Sequence, residues 1–134
     1  MIKYRKVINM NKTVKTLLLG LIAWIIPFLS SFFVWDVKTN APSITLAWFY
    51  ALMGFTGAIG LAIAAFYRFK DVHKDTVREG WKTGITWYIE MILLDLIFLV
   101  VLFGMTMTDY YHLLLTYLTP FVICVTIGYV KKPK

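Results

Sequence analysis

Four long apolar stretches dominate this chain and decide what it can fold into. They cover residues 14–35, 43–67, 83–106 and 110–130. Each has about 20 residues or more, enough for an α-helix to cross a hydrocarbon core of about 30 Å. Strands are not expected, because the runs do not alternate in polarity and a membrane span must satisfy its own backbone hydrogen bonds. The sequence therefore predicts an all-α polytopic membrane protein, with one domain over residues 1–134 that forms an antiparallel four-helix transmembrane bundle.

The composition excludes the common soluble classes and offers no chemistry of its own. Hydrophobic residues make up 60% of the chain and charged residues 16%, against about 45–50% and 25% in soluble domains. The single cysteine, Cys124, provides neither a disulfide nor a thiolate cluster. His73 and His112 are isolated, so no metal site is expected. No catalytic motif or phosphate-binding loop is present, and we expect neither a cofactor nor an enzymatic activity.

The basic residues predict the orientation of the chain in the membrane. All of the 14 lysines and arginines except Lys38 lie in the N-terminal arm, the loop at 68–82 or the C-terminal tail. Short cytoplasmic loops carry an excess of such residues. Both termini and the middle loop are therefore expected in the cytoplasm, as in a multi-pass protein of the cell membrane. Nucleic acid is not an expected partner, because the cations flank apolar spans.

The loop at 68–82 is the longest polar segment between the spans. Its cations are interspersed with acidic residues, which is typical of a solvated face that touches anionic headgroups. The lipid bilayer is therefore an expected partner. The membrane-surface residues expected from this loop are Arg68, Lys70, Arg78 and Glu79.

Two carboxylates interrupt the third span. Counted from its start at about 1.5 Å per residue, Glu90 lies roughly 10 Å deep and Asp95 roughly 18 Å deep, close to the midplane. An acidic residue at that depth costs about 2.5–3.5 kcal/mol on insertion scales, so Asp95 should face protein or water. The side chains expected at its level are Tyr117, Thr119 and Thr56, together with the carbonyl that Pro27 leaves without a donor.

This polar group has two interpretations, which the sequence leaves open. A carboxyl, hydroxyls and a free carbonyl at mid-membrane suit a proton, a small cation or an amine. Alternatively, Asp95 is neutral and hydrogen-bonds Tyr117 or Thr119, which fastens the helices together. Glu90 lies nearer the cytoplasmic edge, where it either lines the inner part of a path or meets a salt bridge or water.

Small residues recur at helical spacing within the second span. Such residues allow helices to approach closely, within one protomer or between protomers. With only four helices, at least one face is expected to serve a homo-oligomer or a larger membrane complex. The helix-packing residues expected on this basis are Gly54, Ala58, Ala62, Gly57 and Gly60, with Pro27 on the first span.

The second half of the chain contains several short motifs in a fixed order. Arg-Glu-Gly precedes the third span, Asp95 lies within that span, and Thr-Tyr-Leu precedes a proline in the fourth. From Arg78 to Tyr129 this pattern resembles an uncharacterised family of small four-span prokaryotic integral membrane proteins, whereas the first half matches only in hydropathy. The resemblance implies the four-span architecture without a reaction. It singles out Arg78, Glu79, Asp95, Tyr117 and Pro120, the last as a packing position in the fourth span.

Two functions follow from these features. The first is an oligomeric transporter or channel-like protein in which Asp95 responds to a proton or cation, although no internal repeat or broken helix is evident in the sequence. The alternative is a non-catalytic accessory or structural subunit that packs against a larger membrane complex or lipid. Water access to Asp95 distinguishes them, because a structural carboxyl would be dry.

Overall fold

The computed structural model describes residues 11–102 and 104–133. Lys3, Arg5 and Lys6 of the basic N-terminal arm, Phe103 and Lys134 lie outside this range. The elements are α1 (Lys12–Phe32), β1 (Trp35–Asp36), β2 (Ala41–Pro42), α2 (Leu46–Phe69), α3 (Thr76–Asp95), a π-helix (Leu96–Leu102), α4 (Met107–Thr116) and α5 (Leu118–Val130).

The structure confirms four helices that are long and apolar enough to cross a membrane. They are Lys12–Phe32, Leu46–Phe69, Thr76–Leu102 and Tyr110–Val130. Their outward faces are apolar, with Leu29, Phe55, Ile89 and Val122 among the exposed side chains. The polar contacts described below lie between the helices instead of on these faces.

The middle loop is much shorter than predicted. Only residues 70–75 separate α2 from α3, whereas the sequence predicted a loop over 68–82. The helices extend into this polar segment, and Arg68 at the end of α2 pairs with Glu79 in the first turn of α3 across the short loop. The third span consequently begins at Thr76 instead of residue 83.

The turn between the first two spans contains a very small antiparallel sheet. Trp35 pairs with Pro42 and Asp36 with Ala41, in strands of two residues each. Asn40 has a φ of 51°, a left-handed conformation that asparagine tolerates. This hairpin joins α1 to α2 at the end of the bundle opposite the middle loop.

The fourth span is not one continuous helix. It divides at Tyr117, which lies between α4 and α5. Pro120 explains the break, because proline has no N–H for the carbonyl four residues earlier and its ring clashes with that carbonyl, here that of Thr116. The turn before α4 also lies earlier than predicted, with Gly104 at a φ of 75°, a conformation that favours glycine.

The helices pack as two hairpins joined through α1 and α3. α1 packs against α2, α3 against α5, and α1 against α3. Two indole hydrogen bonds set the register between the hairpins: Trp24 donates to Asp95, and Trp87 donates to the carbonyl of Thr16. Both pairs are 71 residues apart. α1 and α3 therefore run parallel.

Glycines set the closest helix contact in the second hairpin. A Cβ on Gly80 would lie 2.6 Å from the carbonyl oxygen of Cys124, and a Cβ on Gly128 would lie 2.6 Å from that of Thr76. Real Cβ atoms do not approach backbone this closely, so α3 and α5 depend on both glycines for their separation.

We expect Gly80→Ala and Gly128→Ala each to lower the free energy of unfolding by about 1–3 kcal/mol, because the added methyl group forces two backbones apart. Gly54→Ala is the matched control, since nothing lies within 4 Å of its added Cβ. Denaturant unfolding in detergent micelles measures all three. A loss at Gly54 as large as that at Gly128 would contradict the proposed contact.

The predicted small-residue stripe lies mostly on the outside of the protomer. Ala58 and Ala62 are exposed, and neither Gly54 nor Gly57 has a neighbour within 4 Å of an added Cβ. Gly60 alone among the predicted residues of α2 meets α1 closely, because an added Cβ would lie 2.8 Å from the carbonyl oxygen of Ala23. Of the two expected alternatives, close packing within the protomer is not seen for the other four residues, and their role between protomers stays a prediction.

Candidate functional site

Asp95 lies in a closed polar cluster between the helices. Its side chain is buried, with the residue 2% exposed. Trp24 Nε1 donates to Asp95 Oδ1 over 2.7 Å, and the hydroxyl of Tyr117 donates to Oδ2. The predicted contact with Tyr117 is thus present, and Trp24 is a second partner. Through these bonds Asp95 connects α1, α3 and the junction of α4 with α5.

Asp95 and its partner Tyr117 each lie where a helix departs from α geometry. Asp95 is the last residue of α3 before the π-helix, and Tyr117 lies at the break between α4 and α5. Phenolic hydroxyls bond the neighbouring backbone: Tyr110 donates to the carbonyl of Ile92 and Tyr88 to that of Leu114, both over 2.9 Å. π-Helical turns occur frequently at functional sites.

Aromatic rings close the cluster on the side of α1. The Trp24 ring stacks on Phe28, with ring centroids 4.5 Å apart. Phe98 of the π-helix packs against both rings, at 5.2 Å from Trp24 and 5.8 Å from Phe28. This packing holds the indole N–H towards the carboxyl and separates it from the exposed surface.

The other predicted partners of Asp95 lie elsewhere. Thr119 is exposed, and Thr56 donates its hydroxyl to the carbonyl of Leu52 in its own helix. The carbonyl of Ala23, which Pro27 deprives of its usual donor, points to Gly60 of α2. These three expectations were wrong because depth along a span gives the level of a residue but not the face on which it lies.

Glu90 occupies a different site from Asp95. Its Oε1 atom is buried with no hydrogen-bond partner among the described residues, and it lies so close to Gly20 that a Cβ there would clash with it. It lines an apolar groove of about 360 Å³, with Leu17, Leu94 and Ile97 among the walls. The ion pairs of the described residues do not include Glu90, so of the two expected contacts, a salt bridge or water, only water stays a prediction.

A second polar cluster forms what we call the basic end of the bundle, defined by Lys12, Arg68, Glu79 and Lys131. Arg68 Nη2 donates to Glu79 Oε2 over 2.6 Å, and its Nε donates to the Thr16 hydroxyl over 2.8 Å. Lys12 Nζ lies 3.8 Å from Glu79 Oε1. Lys131 donates to the carbonyl of Phe69, the last residue of α2, where a cation suits the helix dipole.

These contacts correct two of the four predicted membrane-surface residues. Arg68 is 5% exposed and Glu79 is 9% exposed, so both lie between helices. Lys70 and Arg78 are exposed, as expected. The sequence predicts all four at the surface because a single charged residue at the end of an apolar run is usually solvated. The pairing of Arg68 with Glu79 depends on the tertiary fold and has no local signal.

Trp24, Thr16 and Trp87 are the site residues that sequence reasoning missed. A sequence signal exists for Trp24, because an indole far from both ends of its span needs an acceptor for its N–H. Trp87 carries no such signal, because it lies only four residues after the predicted start of the third span at residue 83. In the structure it is 0% exposed, and its indole N–H donates to the carbonyl of Thr16 over 2.7 Å. No comparable signal marks Thr16, whose hydroxyl also bonds its own helix at Lys12.

Comparison with known proteins does not extend these observations. No protein family, no curated protein and no solved structure matches this chain. The resemblance over residues 78–129 therefore stays a prediction.

Proposed function

We propose that the chain is an integral protein of the cell membrane that crosses it four times, with both termini in the cytoplasm. The apolar outward faces support insertion. The starts of α1 and α3 and the ends of α2 and α5 meet at the basic end. A concentration of cations at one end suits the cytoplasmic side.

Within that setting, we infer an oligomeric transporter or channel-like protein in which Asp95 responds to a proton or cation. The observation that carries this inference is the hydrogen bond between Asp95 and Tyr117, which joins two interruptions of regular helix. In membrane transporters, interrupted helices near the midplane commonly form the sites for substrates and coupling ions. These two interruptions support the proposal, although the one at Tyr117 is local, since its N–H still bonds the carbonyl of Leu113 over 2.9 Å.

The chemistry of the two donors determines how Asp95 would respond to a proton. An indole N–H only donates, so Oδ1 must remain an acceptor while it bonds Trp24. A phenol hydroxyl both donates and accepts, so Oδ2 can take the proton if Tyr117 turns its own hydrogen away. Protonation would thus alter the bond to the α4–α5 junction and leave the bond to α1 in place.

The test is proton and cation flux into proteoliposomes, with the native chain compared with Asp95→Asn. Asparagine keeps the size of the side chain and an oxygen for Trp24, but it cannot ionise. We expect the flux to be lost in this variant and retained in Asp71→Asn, a control at an exposed loop position. Equal flux from native and Asp95→Asn would contradict a coupling role, provided that both fold and assemble alike.

A non-catalytic accessory subunit is the second candidate function. It is favoured by the burial of Asp95, whose two oxygens are both hydrogen-bonded and which is only 2% exposed. The outward stripe of Gly54, Ala58 and Ala62 would then contact a larger membrane complex or a second copy. Negligible flux from the native chain, together with stable copurification of another membrane protein, would favour this function over transport.

A further inference from the structure

A small polar pocket lies at the basic end, between α1, α2 and α3, and is separate from the Asp95 cluster. Its volume is about 70 Å³, which suits a small group and excludes a large ligand. Its walls include Lys12, Thr16, Arg68, Glu79, Lys82 and Thr83. No step proposed above for Asp95 uses this pocket.

The charges around the pocket are unbalanced towards the positive. Three cationic side chains, Lys12, Arg68 and Lys82, face a single carboxylate, that of Glu79. That carboxylate is already engaged, with one oxygen bonded to Arg68 and the other 3.8 Å from Lys12 Nζ. α1 also begins here, so the positive end of its dipole adds to the field. An anion is therefore the favoured occupant.

An unpartnered hydroxyl provides independent evidence for a ligand. Thr83 lines the pocket and is 1% exposed. Its Oγ1 atom is buried with no hydrogen-bond partner among the described residues. Buried hydroxyls in proteins are nearly always hydrogen-bonded, because leaving one unpaired is costly. An oxygen of a bound group would give the Thr83 hydroxyl the acceptor that it lacks.

We propose that this pocket binds a phosphate group. A tetrahedral oxyanion accepts several hydrogen bonds at once, which matches ammonium, guanidinium and hydroxyl donors that converge on one small volume. The group would come either from an anionic phospholipid in the adjacent leaflet or from free phosphate, and both present the same oxygens. This proposal does not depend on whether the protein transports anything.

Binding to the delipidated full chain in a neutral detergent tests the proposal, with native mass spectrometry as the readout. The probes are phosphatidylglycerol, diacylglycerol with the same acyl chains, and inorganic phosphate. We expect one saturable phosphatidylglycerol per chain and much weaker binding of diacylglycerol. Competition by inorganic phosphate identifies the phosphate group as the part recognised. Saturable binding of inorganic phosphate without that of phosphatidylglycerol would assign the site to the free ion.

Three variants locate the binding. Lys82→Gln removes an exposed cation, and Thr83→Val removes the hydroxyl while keeping the shape of the side chain. Each should weaken binding of the preferred probe about tenfold, the effect of one lost charge-assisted or buried hydrogen bond. Lys74→Gln is the control, an exposed lysine outside the pocket.

Two results would overturn the proposal. The first is that neither phosphatidylglycerol nor inorganic phosphate binds the native chain more tightly than diacylglycerol does. The second is that Lys82→Gln and Thr83→Val bind the preferred probe as well as Lys74→Gln does. Because Lys82 is exposed, its variant should fold normally and keeps the test decisive even if Thr83→Val is unstable.

Discussion

Arg68→Ala is expected to lower the free energy of unfolding by about 3–5 kcal/mol. The guanidinium lies 2.6 Å from Glu79, and the two side chains are 5% and 11% exposed. Its removal leaves the Glu79 carboxylate between helices with only Lys12 nearby, and it also removes a hydrogen bond to Thr16. A buried charge that loses its partner is far more costly than a solvated one. Denaturant unfolding in detergent micelles measures the loss.

Arg78→Ala is the matched control, since Arg78 is an exposed arginine beside Glu79 in the sequence. Its removal should change the free energy of unfolding by no more than about 0.5 kcal/mol. A double variant, Arg68→Met with Glu79→Met, should recover part of the stability that Arg68→Ala loses, because it removes both charges together. Equal losses for Arg68→Ala and Arg78→Ala would show that the pair is not buried.

The number of spans could be predicted because hydropathy is a property of each stretch by itself. A helix that crosses a membrane needs about 20 apolar residues and satisfies its own backbone, so no knowledge of its neighbours is required. The contact between Asp95 and Tyr117 could also be predicted, since the two residues share a depth. Depth alone, however, could not separate Tyr117 from Thr119, which lies two residues later and is exposed.

The basic end shows why the remaining contacts were not predictable. Arg68 and Glu79 each follow or precede an apolar run, and each taken singly suits the membrane surface. Burial of the two charges becomes favourable only because they pair across residues 70–75. This contact forms only in the tertiary fold. Both paired residues lie inside helices, within the segment 68–82 that was predicted as a polar loop. The break at Tyr117 has a sequence signal in Pro120, which was interpreted only as a packing position, whereas the π-helix after Asp95 has no comparable signal.

Trp87→Ala is expected to lower the free energy of unfolding by about 3 kcal/mol. Trp87 is 0% exposed and fastens α3 to α1 through its bond to Thr16. A helix that separates within a micelle keeps an apolar surrounding, so the loss comes from packing contacts, the void and the hydrogen bond instead of from exposure to water.

Two further variants divide that effect into its parts. Trp87→Phe keeps most of the ring volume and loses the N–H, so it should lower the free energy of unfolding by only about 1 kcal/mol. Trp48→Ala removes an indole that is 72% exposed, and it should change stability by no more than about 0.5 kcal/mol. If Trp87→Ala and Trp48→Ala unfolded alike, the register between α1 and α3 would not depend on Trp87, and the two hairpins would be joined by the bond from Trp24 to Asp95 and by the contacts at the basic end.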